Sequence, residues 1–177
     1  MEPTKPIDYV PLIDNYYQSK GFPAYDWTVN EAAPLSRLSK PLIECTVSML
    51  TSGGISYNEA EPFDPIAKDN FRLDEIAWDT DGKGFQINDA YYDPRDGRRD
   101  INVIFPLERL RELAAEGVIG GVAGRLWSGF MGRTYKRGHV VDVAAPAFAD
   151  ELQRDEVDVV VMVPALPLDH QTVGLVS

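Results

Sequence analysis

Near its carboxyl end the chain reads Pro146-Ala147-Phe148-Ala149-Asp150-Glu151-Leu152-Gln153-Arg154, then Val157-Asp158-Val159-Val160-Val161-Met162-Val163. Pro146 to Arg154 reads as a short helix and Val157 to Val163 as a strand. Val159 to Val163 is apolar on both faces, the pattern of a central strand in a parallel sheet covered by helices on both sides. A helix, a buried strand and then a polar loop form one step of a doubly wound α/β sheet. Ligands in such sheets sit beyond the carboxyl ends of the strands. That rule singles out the loop Pro164-Ala165-Leu166-Pro167-Leu168-Asp169-His170-Gln171-Thr172-Val173-Gly174.

Working outward, Leu42 to Leu50 alternates apolar residues with smaller or polar ones and reads as a strand. It ends in Thr51-Ser52-Gly53-Gly54, a turn whose backbone N–H groups could cradle an anion or serve only as a glycine turn. Phe85 to Tyr92 reads as a second strand, closed by the turn signal Asp93-Pro94-Arg95-Asp96-Gly97. The spacing of Leu107, Leu110, Leu113 and Ala114 predicts a helix from Pro106 to Glu116, with Gly117 as its stop. Gly117 to Gly138 is dense in glycine and aromatics, a sign of close backbone approach to a neighbouring element or a ligand. Residues 1–41 hold Pro3, Pro6, Pro11, Pro23, Pro34 and Pro41 among many aromatics. They read as an arm packed on the domain, with a short helix from Leu12 to Lys20 stopped by Gly21.

The length of 177 residues suits one domain, so the expectation is an arm over 1–41 and a single α/β domain with a mostly parallel sheet over 42–177. Seventeen Lys and Arg stand against 28 Asp and Glu, a net charge of −11 that repels phosphate backbones and anionic membrane surfaces. Nucleic acid and membrane are therefore not expected partners. One cysteine, Cys45, excludes an internal disulfide and a cysteine-based zinc site, and points to the cytoplasm. Neither G-x-G-x-x-G nor a P-loop pattern occurs, and no cofactor or metal is expected.

The run Asp100-Ile101-Asn102-Val103-Ile104-Phe105-Pro106-Leu107-Glu108-Arg109-Leu110 continues through Arg111 to Gly120 and then Ser128-Gly129-Phe130-Met131-Gly132. It resembles the selenoprotein B family of glycine, sarcosine, betaine and D-proline reductases, above all its short single-domain relatives. Weaker matches are Glu61-Pro62-Phe63-Asp64, Asp69 to Arg72, and Val163-Pro164 with Gln171-Thr172-Val173-Gly174. The resemblance implies a reductase whose chemistry lies in a Sec/Cys-Pro-x-Cys sequence on the loop after the final strand. There a selenolate or thiolate attacks the substrate and a second chalcogen resolves the product. This chain has Leu166 at the first of those positions and Asp169 at the second. The resemblance also implies a histidine near Asp89, and none stands there.

What the loop retains is Asp169-His170. A histidine tuned by a carboxylate is a general acid or base near neutrality, so His170 is the candidate proton carrier with Asp169 or Asp89 as its partner. Arg72 and Arg125 are candidate anion clamps, or members of ordinary ion pairs. Ser52, Gly53, Tyr91, Gln171 and Thr172 complete the expected substrate contacts. Three readings follow: a small-molecule enzyme with acid–base chemistry, a silent homologue binding a ligand or protein partner, and a thiol-dependent oxidoreductase using Cys45. The aromatic arm is a candidate surface for forming a homo-oligomer.

Overall fold

The computed structural model describes residues 8–24, 36–90, 92–132, 134–165, 173, 174 and 176, in two compact units, Met1–Leu35 and Ser36–Ser177. The first unit holds α1 (Tyr9–Ser19), which starts earlier than expected because Pro11 fits a first turn, where the missing N–H has no partner to lose. Gly21 ends it as expected, at φ +87°. Its N–H bonds to Gln18 O and the Phe22 N–H to Tyr17 O, while the Phe22 ring lies 5.9 Å from that of Tyr17. This is a Schellman stop with its apolar contact.

The second unit is built around β1 (Thr46–Thr51), entered through a 3₁₀ turn over Leu42–Glu44. After it come β2 (Ile55–Tyr57), β3 (Leu73–Ala77), β4 (Phe85–Ile87), α2 (Arg95–Arg99) and α3 (Leu107–Ala115). Next are β5 (Gly121–Val122), β6 (Arg125–Gly129), α4 (Arg137–His139), a π-helical turn over Val140–Ala144, α5 (Ala145–Arg154) and β7 (Val159–Val163). β1 is parallel to all its partners, with β7 along one edge and β5 followed by β6 along the other. β3 closes the far side of β6 in antiparallel pairing, and β2 and β4 form a separate antiparallel pair. The fold is α/β with a mostly parallel sheet, as expected.

Helix-bearing layers cover both faces. Val47 and Met49 of β1 and Val159, Val161 and Val163 of β7 join α3's Leu107 and Leu110 on one side. Leu50, Val160 and Met162 meet Trp127, Phe130 and α5's Phe148 on the other. β7, expected at the centre, pairs among the described residues only with β1, and each of its residues is half-buried. The central strand is β1, whose residues 47–51 are all buried. Apolarity on both faces thus reports cover from two layers and says nothing about neighbours in the plane.

Residues 123–124 interrupt the β5–β6 edge: a step of four residues along β1 faces six on the partner. The buried Ser48 hydroxyl spans the gap, donating to Arg125 O at 2.8 Å. The strand expected over 85–92 stops at Ile87, and helical turns at 95–99 and 137–144 were not expected. α3 forms where expected, with Pro106 just outside it and Gly117 at φ +70°. The close approaches expected in the glycine-dense stretch are to neighbouring elements. A Cβ on Gly120 would lie 2.6 Å from the Glu44 carbonyl carbon, and one on Gly129 would lie 2.5 Å from Arg72 O. Among the described residues no helix is long and apolar enough to cross a membrane.

Candidate functional site

The turn after β1 is where three other segments meet. The Thr51 hydroxyl donates to Ile104 O at 2.6 Å and accepts the Gly53 N–H at 3.1 Å. The Tyr92 hydroxyl donates to Gly53 O at 2.8 Å. Ser52, 1% exposed, donates its N–H to Val163 O at 3.1 Å. Its Oγ accepts the Ala165 N–H at 3.0 Å. A Cβ on Gly53 would stand 3.3 Å from Ile104 Cδ1 and 3.5 Å from Ala165 Cβ. Gly54 has φ +64°, and a Cβ there would lie 2.6 Å from Met131 Sδ and closer still to Asn88 O.

Of the two alternatives, the ordinary glycine turn fits this geometry better than the amide nest. The Ser52 N–H already has an acceptor in Val163 O, at the end of β7, and the Gly53 N–H has one in Thr51 Oγ1. Thr51, Tyr92 and Ala165, which were not among the expected substrate contacts, are the residues that shape this corner. The available signal was the hydroxyl pair Thr51-Ser52 ahead of Gly53-Gly54.

The two candidate clamps are spoken for. Arg72 lies just before β3, on the side where β6 ends. Nε and Nη2 donate to the two carboxylate oxygens of Asp74, both at 2.6 Å. Nη2 also reaches Glu61 O and Nη1 reaches Pro62 O, and the guanidinium lies 4.3 Å from the Phe63 ring centre. The hydrogen bond to Asp74 holds the Arg72 pKa above its ordinary value. Arg125 is the first residue of β6, at the opposite end of that strand from the loop. It binds Asp155 through Nε and Nη2 (both 2.8 Å), Glu151 (2.9 Å) and Glu75 (2.9 Å). Asp155 first and then Glu151 raise its pKa, and Arg125 in turn lowers that of Glu151. A substrate anion would have to displace these carboxylates, so both arginines serve the ion-pair alternative.

Asp89 is half-buried just beyond β4. Leu166, Asp169, His170, Gln171, Thr172 and Tyr91 lie outside the described residues. Ser52 and Gly53 are thus the expected site residues that the structure brings to the start of the loop after β7. Cys45 is at the other end of β1, 0% exposed, its thiol directed at Pro41 O at 3.4 Å. Against the α5 side of β7 lies an apolar cavity of about 430 Å³, lined by Phe148, Leu152, Val160, Met162, Val173 and Val176. Among the described residues no three His, Cys, Asp or Glu side chains are grouped to hold a metal.

Residues 15–165 match the family of glycine/sarcosine/betaine reductase selenoprotein B. The chain belongs to this family. Among curated proteins it is similar to the D-proline reductase subunit gamma of Acetoanaerobium sticklandii, at 27% identity over 140 residues. That match takes in 79% of this chain and 57% of the relative, so the chain spans little more than half of the relative's length. No solved structure matches. The matched segment contains the Ser52 turn, Cys45 and both arginines, and it ends at Ala165, the residue whose amide Ser52 holds.

Proposed function

We propose that this chain is a non-redox member of the selenoprotein B family, a small-molecule enzyme using acid–base chemistry on the loop after β7. His170 gives or takes the proton, and Asp169 or Asp89 is the carboxylate that tunes it. One observation carries the reading: the chain's single thiol, Cys45, is fully buried at the end of β1 away from that loop. Thiol exchange needs an accessible thiolate within reach of a partner chalcogen. Leu166 and Asp169 stand at the family's chalcogen positions and supply neither. The thiol-dependent reading through Cys45 is accordingly disfavoured.

The loss of both chalcogens also favours a second reading, a silent homologue that binds a small ligand or serves as a subunit beside a partner. Exposed Leu12, Tyr16 and Phe22 in the first unit support a homo-oligomer formed through the arm. A cytoplasmic setting is consistent with the lone free thiol. The test is a thermal-shift screen of the full chain against amines, amino acids and small carboxylates, followed by turnover assays on whatever stabilises it. His170→Ala is expected to abolish turnover while leaving the fold intact, a loss on the order of 10²-fold or more. Unchanged turnover removes His170 from the chemistry. Ligand stabilisation with no turnover favours the silent homologue.

A further inference from the structure

The chain leaves β7 through Pro164 and Ala165, and the structure shows what holds it there. Two bonds from one residue, Ser52, bracket the exit: its N–H to Val163 O and its Oγ to the Ala165 N–H. Between them lies Pro164, which has no N–H and a fixed φ, so Ala165 carries the next amide that can be held. Ser52 is itself fixed from both sides in sequence. Thr51 is tied to Ile104 and Gly53 to Tyr92, so the turn is braced against the segment that leads into α3 and the chain beyond β4. An alanine at position 52 would take away the oxygen that the Ala165 amide donates to in this partly buried corner.

We propose that Ser52 is a positioning residue: its hydroxyl aims the loop after β7, and it does not bind substrate. This rests on the acid–base reading only for the use made of the loop. The chain has two histidines, His139 and His170, so ¹H–¹³C spectra of histidine-labelled protein report on the loop directly. His139 packs against Phe71 with ring centres 4.2 Å apart and the rings tilted by 43°, and it serves as the internal reference.

Ser52→Ala is expected to shift and broaden the His170 ring signals while those of His139 stay in place. Ser52→Thr, which keeps the acceptor oxygen, is expected to restore them. His170 signals that are unchanged in Ser52→Ala, or altered alike in Ser52→Thr, overturn the proposal. Should Ser52→Ala fail to fold, hydrogen exchange on the parent protein decides. The Ala165 amide is expected to exchange at least ~10-fold more slowly than a free alanine amide, and unprotected exchange overturns the proposal. Retained turnover in His170→Ala would sink the acid–base reading and leave these measurements standing.

Discussion

The two ends of β1 differ in how they are held and in what they can do. At the amino end, packing and charge do the work. Gly120 lets one backbone press on another, Cys45 fills the core, and Asp158 accepts the Thr46 N–H at 2.7 Å while pairing with Lys40. At the carboxyl end hydroxyls do it: Thr51, Ser52 and Tyr92 join β1 to Ile104, to the exit of β7 and to the chain beyond β4. The resemblance implies redox chemistry on a loop at the carboxyl end, and this protein keeps its one thiol at the other. In an α/β sheet the loops beyond the strands' carboxyl ends are where ligands gather, while the opposite end is free to be packed shut.

The largest expected contrast is in thiol reactivity. Cys45 in the native protein should be alkylated by iodoacetamide on the order of 10³-fold more slowly than in urea, because labelling must wait for the core to open. Mass spectrometry of timed samples checks this, and rapid native labelling would restore the thiol reading. Next come the glycines. Gly54→Ala forces a side chain into positive φ and onto Asn88 O and Met131. It should cost about 3 kcal/mol in urea unfolding. Gly120→Ala has only the backbone clash and should cost about 2 kcal/mol. Equal values would mean that the positive φ at Gly54 carries no strain.

The smallest effect is in acid. Lys40, and then the Thr46 N–H, hold the Asp158 carboxyl below its ordinary value. A depressed folded pKa adds stability above the unfolded carboxyl value, near 4, and that stability fades as pH falls through the folded value. Asp158→Asn should therefore lower the urea midpoint at pH 6, and the gap to the parent should narrow as pH falls from there to pH 3. The hydroxyls around Ser52 do not titrate in this range, so a Ser52→Ala deficit should persist at both pH values. A Ser52→Ala deficit that narrows in acid as Asp158→Asn's does would erase the distinction between the two ends.

Much of the local structure was legible from residues close in sequence. Gly21 and Gly117 stop their helices as read, and α3 follows its apolar spacing, because helix ends and faces are decided within a few residues. Strand and helix boundaries were less legible. Phe85 to Tyr92 looks continuous, yet pairing ends at Ile87, where β2 runs out of residues to offer.

The sequence alone determined the family, the α/β class, two-sided cover over Val159 to Val163 and the absence of cysteine from the loop, since each is a property of residue identity or short-range order. Tertiary structure alone decided that β1 is the centre, that Arg125 is held by three carboxylates, and that Ser52 faces the exit of β7. Those outcomes depend on strand register. Register brings Glu75 to Arg125 and Ala165 to Ser52 across 113 residues, and the packing of α5 on the sheet adds Glu151 and Asp155. An apolar pattern reports that a face is covered, whereas only the assembled sheet says by what.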